Sequence, residues 1–174
     1  MPPPVYVPGQ VLLDTDVNNW FLPSVIVKPA STSRASNTTV TADPDLSLPV
    51  TANWSYWVNA CLLWNGATGA DLNWAWNGPG TAQFLGHAFS NQLTGQTSPS
   101  GPFKDIVWDG GSTFNAQHTA GAYGAGVPAV ITAEGILNVG GTGGTFGVSW
   151  AQNTSGATAT IMAFGSFIIL RRVA

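Results

Sequence analysis

Charged residues are scarce in this sequence. Asp, Glu, Lys and Arg make up 7% of its 174 residues, whereas about 25% is usual in globular proteins. Because the chain has five basic residues and a net charge of −3, it lacks the clustered Lys and Arg that phosphate contacts need, and we exclude nucleic acid as a partner. Neutral polar groups must therefore cover the surface. That is typical of β proteins and also of subunits packed into an assembly, and both causes stay open.

Cysteine and long apolar runs are also scarce. Cys61 is the only cysteine, so no disulfide can form within the chain. No apolar run approaches the roughly 18 residues of a membrane span, so we expect no membrane insertion. The first residues, Met1 to Tyr6, lack a charged segment followed by an apolar one, and we expect no secretory signal peptide.

The patterns of catalytic and metal sites are missing. Neither His87 nor His118 has a His or Cys at metal-ligand spacing. The Asp-x-Asp pairs lack the later ligands of a calcium loop and suit turns or caps, and no two carboxylates form a recognisable acid–base pair. The carboxylates considered are Asp14, Asp16, Asp43, Asp45, Asp105, Asp109 and Glu134. We expect no metal, no cofactor, no catalytic residue and no enzyme activity.

Alternating apolar residues predict strands. Phe146, Val148 and Trp150 fall on every second position. The segment from Asn53 to Trp64 carries large apolar residues on both faces, and Phe167 to Leu170 is a short, wholly apolar run. Such strands are covered on both sides, and in a small chain the second layer is either more of the same chain or another subunit.

Turn signals recur about every ten residues and no long helix is convincing, so the chain is predicted to be all-β. We expect a jelly-roll β-sandwich of about eight to ten strands over residues 24–174. Glycine 135 is interpreted as a break between two strands, 127–134 and 135–139. The irregular stretch 90–125 is interpreted as an insert that is functional or lies against a partner.

Residues 1–23 are predicted to be an extended attachment arm. Prolines at its start keep it out of a central sheet. Further along, Leu13, Val17, Trp20 and Phe21 have helical spacing before Pro23, which predicts one or two helical turns. So short a helix must dock, either on the chain's own body or on a neighbouring subunit or larger particle.

Tryptophan is abundant, with eight residues. Most lie at alternating positions of predicted strands, which favours burial in a core or between subunits. Exposed rings also stack on sugars, so a carbohydrate-binding module is the alternative from another class. Trp108, in the irregular insert, is the best candidate for an exposed ring.

Several segments together resemble small structural proteins of tailed bacteriophages and prophages of actinobacteria, usually labelled minor tail proteins. The resemblance covers most of the chain from about Val5 but not the insert. The segments are GQVL (9–12), TADPDLSLPVTANWSY (41–56), NGATGADL (65–72), WAQNTSGATAT (150–160) and GSFIILRR (165–172).

The resemblance implies a virion structural protein, assembled in the host cytoplasm, whose body looks like the trimeric jelly roll of tumour necrosis factor and complement globular heads. Its expected partners are two further copies, other virion proteins and, at the host surface, a glycan contacted by Trp108. The tail or fibre is the preferred location, and capsid decoration is the alternative. The expected trimer-interface residues are Trp57, Trp150, Phe164, Phe167 and Ile169. The expected particle-attachment residues are Tyr6, Leu13, Val17, Trp20 and Phe21.

Overall fold

Twelve antiparallel strands form two sheets in the computed structural model, which describes residues 11, 22–91, 103–109, 114 and 116–173. The expectation of an all-β sandwich is confirmed. The strands are β1 Ser24–Val27, β2 Thr32–Arg34, β3 Thr41–Val50, β4 Ser55–Gly66, β5 Leu72–Asn77, β6 Gln83–Asn91, β7 Phe103–Asp109, β8 His118–Ala120, β9 Gly124–Asn138, β10 Gly144–Gln152, β11 Thr160–Met162 and β12 Phe167–Arg172.

The large sheet has the order β1-β12-β4-β9-β6-β7, with β2 and β11 joined to its side, and the small sheet has the order β3-β10-β5-β8. Four strand pairs are nested, because β1 pairs with β12, β3 with β10, β4 with β9 and β5 with β8. The nested pairs alternate between the two sheets, which is the arrangement of a jelly roll. The hairpin β6–β7 extends the large sheet beyond β9.

The core lies between the two sheets and is rich in aromatic rings. Trp76 stacks on Phe146 with centroids 5.1 Å apart, and Trp74 meets Trp76 edge-on at 5.4 Å. These rings belong to strands of the small sheet, and Phe84 of the large sheet packs against them. The inward-pointing side chains of the alternating strands thus fill the space between the two sheets.

Residues 127–139, interpreted from the sequence as two strands, are mostly one continuous strand, β9, and that interpretation was wrong. Gly135 lies opposite Gly86 of β6, and a Cβ on either glycine would collide with the neighbouring backbone. The ring of Phe84 also lies over both positions. Glycine here permits close approach of two strands rather than a turn.

A buried ion pair connects the two sheets. Lys28, directly after β1, places its Nζ 2.7 Å from Asp43 Oδ1 on β3, and both side chains are 0% exposed. Asp45, partly exposed, also lies 2.7 Å from Lys28 Nζ. Asp43 accepts a further hydrogen bond of 2.8 Å from Trp150 Nε1. Asp43 and Asp45 therefore do more than form the expected turn.

The pKa of Asp43 is lower than usual. Burial alone raises the pKa of this carboxyl, but hydrogen bonds from Lys28, Trp150 and the Asp45 amide, together with the charge of Lys28, outweigh burial. A carboxylate with a lowered pKa stabilises the fold above its ordinary pKa, about 4, and this contribution disappears as the pH falls through the folded-state value.

Replacing Asp43 by Asn should lower the free energy of unfolding at neutral pH by about 3 kcal/mol, because Lys28 keeps a buried charge and loses its nearest buried counter-ion. The control Asp45→Asn, at a partly exposed site, should cost about 1 kcal/mol or less. Denaturant unfolding followed by tryptophan fluorescence, at one protein concentration, measures both. The difference between wild type and Asp43→Asn should shrink as pH falls below about 4. A difference independent of pH, or equal losses in both variants, would refute this role.

Candidate assembly surface

Strands β4 and β12 give the large sheet two apolar faces. On β12, Ile168 and Leu170 point into the core, while Phe167 and Ile169 alternate with them and point outward. The pairing register sets Phe167 opposite Cys61 and Val27. The outward side chains of β1, β12 and β4 therefore adjoin one another.

We call the outward side of the large sheet the apolar face. Its members are the outward-pointing apolar residues of five adjacent strands, β1, β12, β4, β9 and β6. They are Val25, Val27, Trp57, Cys61, Leu63, Leu85, Phe89, Val130, Ile136, Phe167 and Ile169. Val27 is 52% exposed and Phe89 43%, and most members on the middle strands are half-buried. The described residues of the chain therefore leave this face partly in contact with water.

The outward side of the small sheet is different in composition, because its residues are small or neutral and polar. They are Ser47, Pro49, Asn73, Ala75, Asn77, Thr119, Thr145, Gly147, Ser149 and Ala151. Two of them bind each other through the 2.8 Å hydrogen bond from Asn77 Nδ2 to Ser149 Oγ. Ala75, Ser149 and Ala151 on this side are buried, whereas the apolar face keeps large exposed side chains such as Val27 and Phe89. An exposed apolar patch of that kind suits contact with protein.

Two opposite charges lie among the apolar residues of that face. Glu134 on β9 accepts a 3.0 Å hydrogen bond from Trp57 Nε1 through its Oε1. Arg171 on β12 lies opposite Trp57 in the register. His87 of β6 lies opposite Glu134 and packs edge-on against Phe89, with ring centroids 5.0 Å apart.

A groove opens where β12 ends. Its volume is about 540 Å³ and it is lined by Trp57, Ile136, Arg171, Arg172 and Val173. The guanidinium carbon of Arg172 lies 3.2 Å from the centroid of the Trp54 ring, and burial lowers the pKa of Arg172. The groove adjoins the apolar face and shares Trp57 and Ile136 with it.

The sequence-predicted interface residues separate into three groups. Trp57, Phe167 and Ile169 lie on the apolar face, each half-buried, and their role in a trimer stays a prediction. Phe164 lies off this face, in the turn after β11, which ends at Met162; it is 69% exposed, and its role in a trimer also stays a prediction. Trp150 was wrongly assigned to an interface, because it is 0% exposed inside the chain's own core and bound to Asp43.

The predicted attachment residues and the short predicted helix lie outside the described part of the chain. They are Tyr6, Leu13, Val17, Trp20 and Phe21. Trp108 lies on β7 opposite Gly86, and its side chain also falls outside the description. Sequence reasoning overlooked Val25, Leu85 and Phe89. The alternation Leu85, His87, Phe89 beside Phe84 and Ala88 was the available signal.

Within residues 22–91 and 116–173 and the shorter described segments, no three His, Cys, Asp or Glu side chains are grouped as a metal ion requires. Likewise, no helix there is long and apolar enough to cross a membrane. The rings of His118 and Trp74 have centroids 5.8 Å apart, so this histidine packs at the core's edge.

No protein-family model and no curated protein matches the chain. Among solved structures, one of the Gt strain of infectious bursal disease virus has a TM-score of 0.22 and 15% identity, and covers 99% of this chain and 45% of that one. The VP2 subviral particle of that virus has a TM-score of 0.19 and 12% identity, and covers 87% of this chain and 40% of that one. A structure of the Gx strain has a TM-score of 0.21 and 13% identity, and covers 89% and 37%.

This chain therefore spans less than half the length of each of these three viral chains. At TM-scores this low, the likeness establishes neither a shared fold nor a shared function.

Proposed function

We propose that this chain is a structural protein of a tailed-bacteriophage virion: a homotrimeric jelly roll that residues 1–23 attach to the particle, at the tail or its fibres. The observation that carries self-association is the contrast between the apolar face and the polar outer side of the small sheet. The virion context, the threefold symmetry and the preference for the tail come from the resemblance of the sequence segments. The proposal includes no catalytic step.

The size of the apolar face supports another copy of the chain as its cover. Five strands at about 4.8 Å spacing, with an average length of about 25 Å, give a face of about 600 Å². A stable interface buries about 800 Å² of accessible surface on each partner, and side-chain relief raises the accessible area above the projected one. The face is therefore of the size that a specific subunit contact needs.

The free energy gained by burying apolar surface also favours self-association. Apolar surface gains about 25 cal/mol for each Å² removed from water. An assembled subunit also needs little surface charge, which agrees with a charged fraction of 7%. The low charge and the apolar face thus have one explanation.

Replacing Phe167 by Arg should dissociate the assembly, because a charge would enter the apolar face without a partner. Val27→Lys should do the same and, at a side chain 52% exposed, should not disturb the fold. Thr145→Arg, exposed on the other outer side, is the control and should stay assembled. Size-exclusion chromatography with light scattering reports the mass, and circular dichroism verifies folding. Wild-type mass for both folded face variants would refute self-association through this face.

Deleting residues 1–23 should leave the trimer folded but prevent its incorporation into particles, because these residues are proposed to attach it. Immunoelectron microscopy of particles made with full-length and shortened protein measures incorporation. Label on the tail is the expected result for the full-length chain, and label on the head would favour capsid decoration instead. Incorporation of the shortened protein at the full-length level would contradict attachment by these residues.

We also propose that Trp108 contacts a glycan of the host surface, because it lies on β7, the edge strand of the large sheet. Trp108→Ala should abolish glycan-array binding by the assembled protein, while Thr145→Ala should preserve it. Sugars stack on aromatic faces through their C–H groups, and the alanine variant has no ring to offer. Unchanged binding by Trp108→Ala, or no binding by wild type, would remove this contact from the proposal.

A further inference from the structure

The apolar face carries one positive and one negative charge among the side chains that the structure describes on β1, β12, β4, β9 and β6. Arg171 lies on β12 and Glu134 on β9. When another copy covers the face, both charges leave water. A buried, unpaired charge costs several kcal/mol, so each one needs an opposite charge within reach.

The two charges are poorly placed to pair within one chain. Strand β4 runs between β12 and β9, and Trp57 on β4 lies opposite Arg171 and also bonds Glu134. The register offsets Glu134 by two residues from the Arg171–Trp57 pair. Their Cα atoms are therefore separated by about 10 Å across the strands and about 7 Å along them. Both ion pairs found among the described residues belong to Lys28.

A second copy supplies what each charge lacks. In a symmetric oligomer every subunit offers one Arg171 and one Glu134, so each can meet the opposite charge of a neighbour. Trp57 already binds Oε1 of Glu134, which fixes the carboxylate and leaves Oε2 for a guanidinium. Pairs of this kind specify the orientation of an interface as well as stabilising it.

We propose that Arg171 of one copy binds Glu134 of the partner subunit, and that this contact sets how the apolar faces of the subunits align. The inference rests on the proposed self-association and names the contact that orients it. A neighbour rotated to another alignment would bury both charges unpaired, which disfavours that alignment.

A charge-swap experiment with the full chain tests the pair. Glu134→Arg and Arg171→Glu each place like charges together, and each should raise the dissociation constant of the oligomer at least about tenfold, measured by analytical ultracentrifugation. The double variant E134R/R171E restores opposite charges and should return to within about threefold of wild type. Glu134→Gln, which keeps an acceptor for Trp57, should weaken assembly through loss of charge alone. Thermal unfolding monitored by circular dichroism verifies that the variants fold.

Two results would overturn the pair. One is wild-type assembly in both folded single variants, and the other is a double variant no better than the weaker single one. Failure of the pair is distinct from failure of self-association, because Val27→Lys tests the face independently. If Val27→Lys dissociates and the charge variants do not, only the pair is wrong.

Discussion

Strands β4 and β12 carry apolar side chains on both faces, so each face needs a layer of protein to cover it. Because side chains alternate along a strand, the inward set and the outward set cannot be buried by the same layer. Ile168 and Leu170 meet the small sheet, whereas Phe167 and Ile169 have no second layer among the described residues. A third layer is required, and another copy of the chain is the proposed source.

The sandwich holds the apolar face in place. Stacked rings such as Trp76 and Phe146 fill the space between the sheets, and the Lys28–Asp43 pair fixes β1 against β3. β1 is the edge strand whose valines extend the face, so this buried pair also positions part of the surface. A surface on a well-packed sheet can align with a neighbour without first becoming ordered, which lowers the cost of association.

Much of this could be predicted from alternation. The two-faced character of β4 and of Phe167 to Leu170 was readable from the sequence, because strand period needs no tertiary information. The errors arose where tertiary contacts decide. Gly135 resembles a break but pairs closely with Gly86 inside a sheet. Trp150 points into the core, where its indole N–H donates to the buried Asp43. The outward residues of β6 were missed because only the sheet order places that strand beside β9.

The central claim is that copies of the chain cover the apolar face. The mass of the wild-type protein in solution, determined by sedimentation equilibrium across a range of concentrations, tests it most directly. With 18.1 kDa for one chain, the account predicts a species of three chains, 3 × 18.1, or about 54 kDa. A single species of 18.1 kDa that persists at the highest concentration would contradict the account.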